Sequence, residues 1–150
     1  MAKLTKLYMT QPHGFPPYFF NQCLWCDESY LFHGIAGYDI MELGTLILTV
    51  YKINPDGSLL QTYQMTNFIE GLDYAFIRSL YYDGKFLYVG IAHSNPYNSI
   101  MVYELEVDGT LTYKSTKLID QTIYGYISCI KGDGKFIYVT TAPTIYETWL

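Results

Sequence analysis

Apolar and aromatic residues along this chain gather in runs of six to ten positions, often alternating with polar ones, and Asp-Gly pairs or Pro-containing loops cut the runs apart. No window carries an apolar face at helical spacing, so the pattern predicts strands throughout. One run is written almost identically twice, "DGKFLYVGIA" at 83–92 and "DGKFIYVTTA" at 133–142, and more loosely a third time as "DESYLFHGIA" at 27–36. Asp27, Asp83 and Asp133 therefore head three units of about fifty residues each.

Alignment from these anchors predicts four strands per unit. The first is "YFFNQCLW", "YAFIRSLY" or "YGYISCIK", and the second is the repeated decapeptide. The third is "LILTVYKI", "SIMVYELE" or "TIYETWL", and the fourth is "LLQTYQM" or "LTYKSTKL". Asp-Gly pairs at 56–57, 83–84, 108–109 and 133–134 mark tight turns, where Gly accepts a positive φ that other residues resist. Phe20, Phe76 and Tyr126, with Leu31, Leu87 and Ile137, align as candidates for buried packing between units. Gln22, Arg78 and Ser128 align as one polar position of the first strands, beside the small Cys23, Ser79 and Cys129.

Four-stranded antiparallel units at this period predict an all-β fold, a β-propeller of three blades in a single domain over residues 1–150. The third unit lacks its fourth strand, while residues 3–10 match a fourth strand at the unit's own offset. The expectation is that residues 3–10 close the blade formed by 124–150, in a neighbouring chain. Three blades are too few to close a ring, so homodimerisation to six blades is expected. The alternative is that the chain is a fragment of a longer propeller.

Once the strands are placed, "DGKFIYVTTA" and "DGKFLYVGIAHSNPYNSIMVYELEVDGTLTYKSTKL" resemble blades of the YVTN and lactonase-type propellers. Those blades run Asp-Gly, aromatic, Tyr-Val, loop, Ile-x-Val-Tyr, Asp-Gly-x-Leu. The resemblance implies a propeller and, for the lactonase type, hydrolysis in a central channel from acidic, His and Arg side chains. Arg78 is the one arginine of this chain, and no catalytic set maps onto the sequence residue by residue.

Composition narrows the functional classes. Aromatics make up 18% of the chain and charged residues 15%, which favours packed strands over disorder. A net charge of −5, with nine Lys and Arg in no cluster, argues against a nucleic-acid partner. No apolar run approaches the length of a membrane span, and the N-terminus does not read as a signal peptide. The expected location is cytoplasmic or particle-associated.

Binding residues are expected on the loop face of the propeller or in its channel, at His13, Asp39, Glu70, Asp73, Arg78 and His93. Arg78 could hold an anion in the channel or pair with Asp73 or Glu70. Cys23 and Cys26 have zinc or redox spacing without a second pair, and the three cysteines read better as core thiols. His33 aligns with Val89 and Val139 and reads as a buried strand residue. No catalytic residue, metal or cofactor is assigned. The function expected is a non-enzymatic interaction or assembly module, including a structural or virion-associated role, that presents loops to a protein or glycan. The alternative is a small-molecule hydrolase of lactonase type.

Overall fold

The computed structural model of the protein describes residues 19–38, 44–69, 75–93, 97–120 and 125–142. Ten strands occupy them: β1 (Phe19–Cys26), β2 (Tyr30–Tyr38), β3 (Gly44–Ile53), β4 (Leu59–Ile69), β5 (Ala75–Tyr82), β6 (Phe86–His93), β7 (Tyr97–Leu105), β8 (Leu111–Asp120), β9 (Tyr126–Gly132) and β10 (Ile137–Ala142). Among the described residues there is no helix. The strands pair antiparallel with their sequence neighbours into three sheets, β1-β2-β3-β4, β5-β6-β7-β8 and β9-β10. The predicted segments 3–10 and 144–150 lie outside the described residues.

The turns explain why the strands break where they do. Asp27, Asp83 and Asp133 each close a hairpin in the same way. The aspartate N–H bonds the carbonyl three residues on, and its Oδ1 accepts the N–H groups two and three residues on. Gly84 and Gly134 follow at φ 101° and 87°. A second turn type joins the third and fourth strands of the first two sheets. Asp56 and Asp108 bond the backbone and hydroxyl of Ser58 and Thr110, beside Gly57 and Gly109 at φ 82° and 83°. These local bonds hold the chain in turn geometry independently of what packs around it.

The acidic groups at these turns make stability depend on pH. Bonds from the Phe136 N–H, the Tyr138 hydroxyl and the Lys135 N–H hold the Asp133 carboxyl below its usual range. Asp56 and Asp108 are lowered chiefly by the Ser58 and Thr110 hydroxyls. A carboxylate with a depressed folded pKa stabilises the fold above its unfolded value and loses that contribution as pH falls. Urea midpoints should therefore fall as pH drops below about 4, and the fall should be shallower in Asp133→Asn. Parallel pH profiles for the variant and the parent would contradict this.

Packing joins the sheets face to face. The main core holds Phe32, Leu46, Leu48 and Val50 of the first sheet against Ile77, Leu80, Tyr82, Leu87, Val89 and Ile91 of the second. A smaller cluster sets Ile100 of the second sheet against Ile127 and Ile130 of the third. Glycine makes each approach possible at equivalent places. A Cβ on Gly34 would stand 2.7 Å from Ile77 Cδ1, and one on Gly90 would stand 2.8 Å from Ile130 Cδ1 and 3.1 Å from Ile127 Cγ2.

Of the residues read from sequence as buried packing, Leu87 is fully buried, whereas Leu31, Phe76, Tyr126 and Ile137 are only half-buried. The fully buried aromatic is instead Phe32, one position along from Leu31 and therefore on the opposite face of β2.

Candidate functional site

The first strands of the three sheets lie side by side, β1 next to β5 and β5 next to β9. Each is the edge strand of its sheet, with its partner strand on one side. Cys23, Ser79 and Cys129 sit at matching register, opposite Gly34, Gly90 and Thr140. The Ser79 side chain connects its sheet to the next. Ser79 Oγ accepts the Ile130 N–H at 2.9 Å. The Leu80 backbone, which aligns with Ile130, lies beside the Cys23 thiol and acts to lower its pKa. Burial pushes the Cys23 thiol up, the Leu80 backbone opposes this, and Cys129 adds a smaller upward effect. A small polar acceptor at this position satisfies the outward N–H of Ile130 in the following sheet, which gives Ser79 a structural reason.

Register changes the reading of the polar position. In β5 and β9 a bulge leaves Arg78 and Ser128 without cross-strand partners, while Ile77 and Ile127 pair with Ile91 and Thr141. In β1 the bulge falls earlier, at Phe20, and Gln22 is an ordinary paired residue opposite Ile35. Gln22 thus holds the register position of Ile77 and Ile127. It does not match Arg78 and Ser128, as the ungapped alignment suggested, and the three do not form one equivalent polar set. A bulge inserts an unpaired residue and re-aims its side chain, which sequence alignment alone cannot see.

Arg78 is exposed, with its guanidinium 5.2 Å from the centre of the Phe76 ring. An exposed contact of this kind contributes about 0.5–1 kcal/mol. His13, Asp39, Glu70 and Asp73 lie outside the described residues, and His93 is placed only as the last residue of β6. Of the six residues expected to bind, the structure therefore positions the side chain of Arg78 alone. Among the described residues, no group of three or more His, Cys, Asp and Glu is arranged to hold a metal ion. Cys23 and Cys26 stand three residues apart on a strand, so alternation aims them at opposite faces and they make no chelating pair. Cys23 is half-buried as a packing thiol, but Cys26 is exposed.

The sequence implies that an arc of three units leaves two packing flanks uncovered, but it does not name the residues at those ends. Leu80 and Ile130 are buried, at 3% and 0% exposure, whereas Leu24 at the same position of the first sheet is 55% exposed. In the second strands, Phe32 is 0% exposed and Tyr88 packs at the edge of the smaller cluster. Their counterpart Tyr138, on the outward face of the third sheet, is 52% exposed, and neighbouring Phe136 is 55% exposed. Residue type changes in step, because Thr140 replaces the glycine of the inner contacts and Gln22 replaces the isoleucine. A comparison of exposure among the three aligned copies would have found these ends, but exposure is not written in sequence.

His33 is buried at 3% exposure, and its Nε2 has no hydrogen-bond partner. Desolvation holds its pKa below the ordinary value. A lowered histidine pKa means that protonation favours the unfolded chain. The stability that rests on a neutral His33 is present above about pH 6.5 and is lost as pH falls through that value. His33→Val, the residue found at both equivalent positions, is expected to stabilise the fold by about 1 kcal/mol at neutral pH and to flatten its pH profile between about 5 and 7. A destabilised variant, or one with the parent's slope, would show that the imidazole has a partner worth keeping.

Comparison of the chain with protein-family models, with curated proteins and with solved structures gave no match. No helix among the described residues is long and apolar enough to cross a membrane. The fold and the geometry together define an all-β protein of three antiparallel sheets, stacked through a recurring contact and open at Leu24 and Tyr138.

Proposed function

We propose that the chain is a non-enzymatic interaction and assembly module, an arc of three propeller-type blades that works by engaging a protein partner at its end sheets. The observation that carries this reading is the contrast in exposure along one recurring contact. The same structural position is buried at Leu80 and Ile130 and open at Leu24, and Phe32 is buried where Tyr138 is open. Apolar positions left open only at the ends of a repeated packing scheme favour further association at those ends. The long β8 edge, with Tyr113 and Leu118 exposed, adds surface of the same kind.

The test combines sedimentation velocity over a wide concentration range with a panel of lactone and ester substrates. Concentration-dependent association without turnover is the expected result. Turnover that disappears in Arg78→Ala would overturn the reading in favour of a lactonase-type hydrolase.

A further inference from the structure

We infer that the partner at both ends is a second copy of this chain, with the Leu24 edge of each copy docked on the Cys129 and Tyr138 face of the other. This rests on the assembly reading above and names its occupant.

The docked contact would continue an interface that the chain already makes twice. Between the first and second sheets, Cys23 packs against the core cluster that includes Leu80, and Gly34 receives Ile77. Between the second and third, Ser79 takes the Ile130 N–H, and Gly90 receives Ile130 and Ile127. Each contact thus has an acceptor side, carrying a small polar residue and an aromatic, and a donor side, carrying a branched aliphatic on an edge strand. After two such contacts, one acceptor side remains, with Cys129 half-buried and Tyr138 and Phe136 exposed. One donor edge also remains, with Leu24 and Cys26 exposed on β1. Behind that edge Ile47, Thr49 and His33 are already buried, so docking is confined to the β1 edge and does not repeat the full face-to-face packing of the inner contacts.

The two leftover surfaces are complementary to each other and not to themselves, so contact between copies runs from end to opposite end. Reciprocal docking of two copies satisfies both ends of each and leaves no further end to extend a chain. In that arrangement the Leu24 N–H of one copy approaches Cys129 Sγ of the other, as the Ile130 N–H approaches Ser79 Oγ at 2.9 Å within one chain. The glycine-to-threonine change at Thr140 and the isoleucine-to-glutamine change at Gln22 fall on opposite sides of this one contact.

Cysteine cross-linking tests this directly. In a background of Cys23→Ser and Cys26→Ser, Leu24→Cys leaves two thiols, one at position 24 and the native Cys129. Serine at position 23 keeps the acceptor, as Ser79 does in the second sheet. Mild oxidation should give a species of twice the chain mass, joined by two disulfides that mass spectrometry maps to position 24 and Cys129. The link should vanish in Cys129→Ser, and Tyr138→Lys in the otherwise unaltered chain should weaken association at least tenfold by sedimentation. A ladder of polymers, or links between identical positions, would overturn reciprocal docking. Association that persists without any bond from position 24 to Cys129 would overturn this inference while leaving the assembly reading standing. A chain that stays monomeric at every concentration would remove both.

Discussion

Phe32→Ala should lower the free energy of unfolding by about 3–5 kcal/mol, among the largest effects expected of a single truncation among the described residues. Phe32 is 0% exposed and its ring lies 4.9 Å from that of Tyr82, 5.8 Å from Trp25 and 6.2 Å from Tyr30. Removing it takes away buried apolar area and leaves a cavity at the junction of the first two sheets, where rigid strands on both sides limit collapse. Phe76→Ala should cost clearly less, because Phe76 is only half-buried and one face of its ring is occupied by the Arg78 guanidinium. Urea unfolding of both variants is the measurement. A cost for Phe32→Ala below that of Phe76→Ala would mean that the aromatic cluster is not the core.

That ordering reverses the one the sequence suggests, and the reason is a general property of strands. The repeated decapeptide and the Asp-Gly pairs are local signals, and each is answered by a local structure. The aspartates at 27, 83 and 133 make the same turn bonds, and strands β1 to β8 follow the predicted order. Which face a residue takes is not local. It depends on register, and a one-residue slip exchanges the buried face for the exposed one. The bulges at Phe20, Arg78 and Ser128 are such slips, and no composition signal announces them. Gln22 therefore reads in sequence like a partner of Arg78, whereas Leu31 keeps the register of the fully buried Leu87 and differs from it in lying on the first sheet of the stack.

The candidate site was less legible than the fold for a related reason. Loop residues with ionisable side chains are easily nominated from sequence, because polarity marks the surface. Arg78, the nominated residue whose side chain is described, turns out to face an aromatic ring from a bulge. The surface that carries the functional reading consists of Leu24, Phe136 and Tyr138, which look like ordinary strand residues until their exposure is compared with that of Leu80, Ile130 and Phe32. Apolar residues are expected inside, so sequence reading places them there by default. Only the three-dimensional count of how many neighbours a sheet has shows which copies are left uncovered.

Gly34→Val should destabilise the fold by about 1–3 kcal/mol or somewhat more, and Ile77→Ala by about 2–5 kcal/mol, yet the two together should cost less than their sum. Valine adds a Cβ that would lie 2.7 Å from Ile77 Cδ1 and 3.3 Å from Ile77 Cγ2, so the neighbouring sheet must shift or Ile77 must leave its rotamer. Valine suits a strand better than glycine, and that gain of up to about 1 kcal/mol offsets only part of the clash. Truncating Ile77 removes both clashing atoms, and the new side chain then fills space the old one vacated. The same cycle at the second contact, Gly90→Val with Ile130→Ala, should behave alike, since a Cβ on Gly90 meets Ile130 Cδ1 at 2.8 Å. A favourable coupling of about 1 kcal/mol or more in both cycles is the expected result. Simple additivity in either one would mean that the sheets do not meet through glycine and isoleucine, and a second copy would then have no recurring contact to repeat.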